Sequence, residues 1–102
     1  MSLGDLQQMT MLAAARLGSE AYGAAIREEL WKVARRKVSV PTVYVTLVRL
    51  EDQGFVTSTE VSREGEGGGR ARRVFRLTAK GWKALDRARQ AMDRLWDGVA
   101  RA

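Results

Sequence analysis

Four arginines, Arg63, Arg70, Arg72 and Arg73, crowd the ends of a glycine-rich stretch, SREGEGGGRA (residues 62–71), with Glu64 and Glu66 opposing them. A guanidinium is a permanent cation whose planar fork of donors matches phosphate oxygens. Set on a glycine-rich loop, such groups suit the backbone of a nucleic acid. Upstream, PTVYVTLVRLEDQG (41–54) has a helical period, with Val43, Leu47 and Leu50 at i, i+4 and i+7 facing inward. The outward positions are then Thr42, Val45, Thr46 and Arg49. Threonine hydroxyls can bond phosphates or base edges, and their methyls or that of Val45 can touch a thymine methyl. Arg49 suits a phosphate, with a bidentate contact to guanine as the alternative. Ser39, just ahead of the helix, can donate to a phosphate. Tyr44 is open between a core ring whose hydroxyl reaches a phosphate and a direct DNA contact.

Other chemistry is poorly supplied. The chain has no cysteine and no histidine, which removes disulfides, thiolate metal sites, the commonest general base and the commonest metal ligand. No Ser, Lys, Asp or Glu pair stands at a catalytic spacing. The GEGGG run lies inside a hairpin rather than at a strand-to-helix turn, so it is not a nucleotide loop. Neither an enzyme, a metal site nor a cofactor is expected. The net charge of +6 over 102 residues favours a polyanionic partner. With no membrane-length apolar run and no visible signal peptide, the expected setting is soluble and cytoplasmic.

The elements must position these groups. A first helix is expected over 4–17, with Leu3, Leu6, Met9 or Thr10, Ala13 and Leu17 at helical spacing and Met11, Leu12, Ala14 and Ala15 widening the stripe. A second starts at Ser19 and ends near 35–37, with Ala25, Ile26, Leu30 and Val33 inward. Val38-Ser39-Val40 has room for a short edge strand beside the wing. Pro41 then suits the first turn of a third helix over 41–53, and Gly54 its stop. Strands follow over 55–61 and 73–77, and Thr78 caps a long last helix, weakened slightly by Gly81. In that helix Leu85, Ala88, Met92, Leu95 and Val99 recur at steps of three and four, the stripe of a helix that packs along another. A partner subunit is its expected cover, and an intramolecular core helix the alternative.

Helix, strand, basic tip, strand, helix is the plan of a winged helix-turn-helix. The fold expected is mainly α with a small β wing, in one domain of residues 1–102: an N-terminal helix (1–18), helix-turn-helix and wing (19–77), and a C-terminal dimerisation helix (78–102).

TVYVTLVRLEDQGFV (42–56) and GGRARRVFRLTAKG (68–81) resemble the PadR family of bacterial transcription regulators. The family's Thr-x-Tyr helix start, its Leu-Glu-x-x-Gly and its Arg-Leu-Thr-x-x-Gly match Thr42, Tyr44, Leu50, Glu51, Gly54, Arg76, Leu77, Thr78 and Gly81. The wing pattern matches Gly69, Arg70, Arg72, Arg73 and Phe75, and Tyr22-Gly23, Ile26 and Leu30 match the family's second helix. The chain departs from the pattern at Pro41 and in the glycines and glutamates of the tip.

The resemblance implies a short-form, homodimeric winged-helix repressor without the additional helical domain of longer members. It favours Tyr44 as a DNA contact and places the dimer interface on the first and last helices, here Leu6, Met9, Ala13, Leu85, Ala88, Met92, Leu95 and Val99. It also implies release by a small aromatic ligand, for which Met9, Trp82, Met92 and Trp96 are the candidates; the alternative is that these side chains simply fill the dimer core. A two-fold dimer implies a palindromic operator with half-sites about 34–36 Å apart. Of the wing arginines, Arg70 and Arg72 are the expected grips, while Arg73 has a carboxylate at the wing's base as an alternative partner. The rival function is a winged-helix module that binds protein rather than DNA. RNA is disfavoured, since no aromatic stacking surface on a sheet is apparent.

Overall fold

The computed structural model describes residues 3–61 and 71–101. Helix α1 (Asp5–Leu17) starts where the Gly4 N–H donates to Gln7 Oε1 at 3.0 Å. It buries Thr10, Met11, Ala13 and Ala14. A 3-10 turn, Gly18–Glu20, follows.

Helix α2 (Gly23–Ala34) begins four residues later than Ser19, the start its sequence suggests. The reason is tertiary. The Ala21 carbonyl is taken by the Phe75 N–H at 2.9 Å, so this stretch runs beside a strand instead of winding into the helix. Ile26 and Leu30 face the core as expected, but Val33 is exposed. The helix stops because Arg35 turns left-handed (φ 54°), which lets the Arg36 N–H reach the Leu30 carbonyl at 3.0 Å.

Val38-Ser39-Val40 forms no edge strand. Ser39 is instead the N-cap of α3 (Val40–Asp52), its Oγ accepting from the Thr42 N–H at 3.2 Å, and Val40 already belongs to the helix. The backbone that does lie against the wing's inner strand is Ala21. Val43, Leu47 and Leu50 are fully buried, as their spacing predicts. They join Met11, Ile26, Leu30 and Phe75 in one core cluster.

Gly54 ends α3 with φ +81°, a conformation that costs a side-chain-bearing residue energy, and its N–H reaches the Glu51 carbonyl at 2.9 Å. Strands β1 (Val56–Val61) and β2 (Arg72–Leu77) then pair antiparallel, in a register running from Val56 opposite Leu77 to Val61 opposite Arg72.

Helix α4 (Ala79–Trp96) is seated by Thr78. Its Oγ1 accepts from the Gly81 N–H at 3.0 Å and donates to the Gly54 carbonyl at 2.7 Å, while its own N–H bonds the Phe55 carbonyl at 3.0 Å. Gly81 is more than a weak helix former. A Cβ there would collide with the Phe55 carbonyl oxygen, so the close seat of α4 requires glycine. Only Gly81 and Leu85 of α4 are buried, and the helix ends at Trp96, which leaves Val99 beyond it rather than on its stripe. The result is a mainly helical fold with one small two-stranded sheet among the described residues.

Candidate nucleic-acid interface

Helix α3 presents two faces. Val43, Leu47 and Leu50 hold one against the core; Thr42, Tyr44, Val45, Val48 and Arg49 stand on the other. Thr46, expected outward, is only 8 % exposed. It lies three residues after Val43 and four before Leu50, inside the buried stripe. Its Oγ1 donates to the Thr42 carbonyl at 2.9 Å, which satisfies it within the helix. Thr46 is thus removed from the outward-facing set. Val48 takes a place there that the sequence reading missed. It sits three residues from Val45 and four from Tyr44, so stepping 100° per residue from either one finds it.

Tyr44 divides between the two roles open to it. Its ring meets Phe75 edge-on, with centroids 6.2 Å apart and planes at 82°. It also packs against Gly23, where an added Cβ would lie 2.8 Å from Cε2. The residue is still 39 % exposed. A ring wedged between α2 and β2 with part of its surface in solvent is held in one orientation, as a contact residue needs to be.

At the start of α3, Ser39 Oγ and Thr42 Oγ1 lie 2.8 Å apart and share a hydrogen bond. Both residues are exposed, so the pair offers a small cluster of hydroxyls at a helix N-terminus, where the dipole favours anions.

The wing arginines separate. Arg63 and Arg70 lie outside the described residues. Arg72 holds its guanidinium over the Tyr22 ring, 4.0 Å from the centroid. Arg73 turns to β1: Nη1 donates to Ser58 Oγ at 2.8 Å, and Nη2 lies 3.8 Å from Glu60 Oε1. The short bond of Arg73 is thus to a hydroxyl, and its carboxylate contact is the longer one to Glu60, directly across the strands and not at the wing's base.

The expected dimer set also divides. Ala13 and Leu85 are buried within their own chain and have no surface to offer a partner. Leu6, Met9 and Ala88 are half-buried, while Met92 and Leu95 are 57 % and 72 % exposed. The four candidate effector residues do not meet in one chain. Met9 lines an open groove of about 500 Å³ between α1 and α2, and Trp82 one of about 570 Å³ between α1, the sheet and α4. Met92 and Trp96 stand on the exposed far half of α4. No helix among the described residues is long and apolar enough to cross a membrane.

Comparison with known proteins agrees with this fold. The model of the transcriptional regulator PadR-like family matches residues 11–87. The transcriptional regulator Rv3488 of Mycobacterium tuberculosis is 42 % identical over 77 residues, which are 76 % of this chain and 67 % of that protein. A PadR-like transcription factor from Bacteroides fragilis superposes with a TM-score of 0.71 at 30 % identity, covering 88 % of this chain and 82 % of its own. F93 from STIV, a winged-helix DNA-binding protein, superposes with a TM-score of 0.73 over 98 % of this chain and all (100 %) of its own; at 17 % identity it speaks for the fold alone.

Proposed function

This chain belongs to the transcriptional regulator PadR-like family, a family of regulators and not of enzymes, and from that premise we propose that it is a homodimeric, sequence-specific DNA-binding repressor. The carrying observation is the exposed face of α3, where Thr42, Tyr44, Val45, Val48 and Arg49 share one side of a helix whose opposite side is locked in the core. A helix of this length fits the major groove. Thr42 and Arg49 supply polar contacts, and Val45 and Val48 supply methyls for thymine. Ser39 and the wing arginines Arg63, Arg70 and Arg72 take the flanking phosphates.

The homodimer reading rests on α4. Beyond Leu85 its apolar residues Met92, Leu95 and Trp96 stay more than half exposed in their own chain, where only the Arg101 guanidinium lies over the Trp96 ring among the described contacts, and a second copy of the same helix would cover them. Two-fold pairing makes the operator palindromic.

Selection of bound sequences from random duplex DNA, at two salt concentrations, tests the reading. The expected product is a palindrome whose affinity falls with a log–log slope of about 0.9 per phosphate neutralised. A folded protein that enriches no motif, or binds with no salt dependence, would favour the protein-binding alternative.

Release by a small aromatic ligand is the finer part of the proposal. Exposed Trp82 and Trp96 with Met92 offer flat, adaptable apolar surface that a dimer seam would bring together. Titration with planar aromatics should change tryptophan fluorescence in the parent and leave it unchanged when Trp82 and Trp96 are both replaced by leucine. A flat response from the folded parent dimer removes the ligand from the model.

A further inference from the structure

Arg73 has the charge of a phosphate ligand, yet its side chain is engaged elsewhere. Ser58 Oγ accepts from Arg73 Nη1 at 2.8 Å and donates to Glu51 Oε2 at 2.7 Å. Glu51 lies in the last turn of α3, Ser58 on β1 and Arg73 on β2, so three elements are joined through one hydroxyl. The register explains how. Arg73 pairs directly with Glu60, and Ser58, two residues back along β1, is its diagonal neighbour on the same face.

We propose that Glu51, Ser58 and Arg73 form a brace that sets the angle between the recognition helix and the wing, so that Arg73 positions the wing and does not grip DNA. The inference rests on the DNA-reading function above. Between α3 and β1 the backbone passes through the short turn at Gln53–Phe55, with Gly54 at φ +81°. A two-stranded ribbon on such a turn can pivot, and a pivot at its base is multiplied at its tip. A charge-assisted chain across the turn opposes it. The sign of Glu51 supports this. A carboxylate in a helix that faces a polyanion weakens binding by simple charge repulsion, unless it has a structural use. Here it anchors Ser58, and through it an arginine that already donates to the Ser58 hydroxyl and faces Glu60.

The test uses the full-length protein and its selected operator. Ser58→Ala, Arg73→Gln and the double variant are compared with the parent at several salt concentrations. Ser58→Ala removes no charge, yet should weaken binding about tenfold, the scale of one charge-assisted hydrogen bond, with the salt slope unchanged. Arg73→Gln should do the same, and the double variant should bind no more weakly than the worse single variant. Ser58→Thr, which keeps the hydroxyl, should restore affinity.

Phosphate-ethylation interference separates bracing from general loosening. In Ser58→Ala the flanking phosphates reached by the wing should lose their interference signal while the major-groove contacts of α3 keep theirs. A general fold defect would weaken both. The brace is overturned if Ser58→Ala binds like the parent, or if Arg73→Gln lowers the salt slope by about 0.9 per protomer and adds to Ser58→Ala, as a phosphate contact would. A parent that binds no duplex DNA overturns the regulator reading, and the brace with it. A parent that binds while Ser58→Ala binds equally well overturns the brace alone.

Discussion

Gly81→Ala is expected to destabilise the protein by about 3 kcal/mol, at the upper end of overpacking costs. Helix propensity alone argues for the opposite sign, since alanine is favoured over glycine by about 1 kcal/mol inside a helix. Sterics should win because the obstacle is rigid. The new Cβ would meet the Phe55 carbonyl oxygen, a backbone atom that cannot rotate aside. Moving α4 away would break the Thr78 N–H bond to that same carbonyl and stretch the Thr78 Oγ1 bond to the Gly54 carbonyl. Against a total stability of about 5–15 kcal/mol this is a large fraction. For a domain near 100 residues it corresponds to a fall in melting temperature of more than about 10 °C. Thermal denaturation at matched protein concentration checks it, because the midpoint of a self-associating protein depends on concentration. An alanine variant that melts at or above the parent temperature would show that α4 is not seated this closely.

Phe75→Ala should cost still more, about 3–5 kcal/mol for a buried phenylalanine. Phe75 is the largest fully buried side chain, at 1 % exposure, and β2 brings it against both the core cluster and the Tyr44 ring. Its loss should therefore be felt twice. Denaturant titration should register the cavity. Operator affinity, measured where the variant is still folded, should fall further than the unfolded fraction accounts for, because Tyr44 loses one of the surfaces that orient it. Phe75→Leu fills most of the volume and should recover most of the stability while leaving Tyr44 less well held. Equal affinity of Phe75→Ala and parent at full folding would mean that Tyr44 either does not touch DNA or needs no support from the wing.

Much of the site is legible in the residues because periodicity is a local property. Val43, Leu47 and Leu50 mark the inner face of α3, and with that face known most of the outer face follows. For Thr46, residue type points outward and position in the helix points inward, and position wins. A threonine looks polar and therefore outward, but its hydroxyl can be satisfied by the carbonyl four residues back, after which its methyl packs like that of a valine. Val48 is the complementary case, an apolar residue on an exposed face. The wing arginines share a type and a neighbourhood, yet the register sends Arg73 to Ser58 and Glu60 while Arg72 lies over Tyr22. Cross-strand partners are set by pairing between distant segments, and no local pattern contains that information.

By itself the sequence determined the order of elements, the core stripe of α3, the Thr78 cap, and a basic chain without histidine or cysteine. Those features follow from backbone propensity, hydrophobic spacing and composition, which act between near neighbours. Only the tertiary structure decided that α2 starts at Gly23 because the Ala21 carbonyl serves β2, that Ala13 and Leu85 belong to the core, that Gly81 must be glycine, and that Arg73 is tied to α3 through Ser58. Each of these depends on which atom of a remote segment arrives within bonding or contact distance, and that is fixed only when the helices and the wing have packed together.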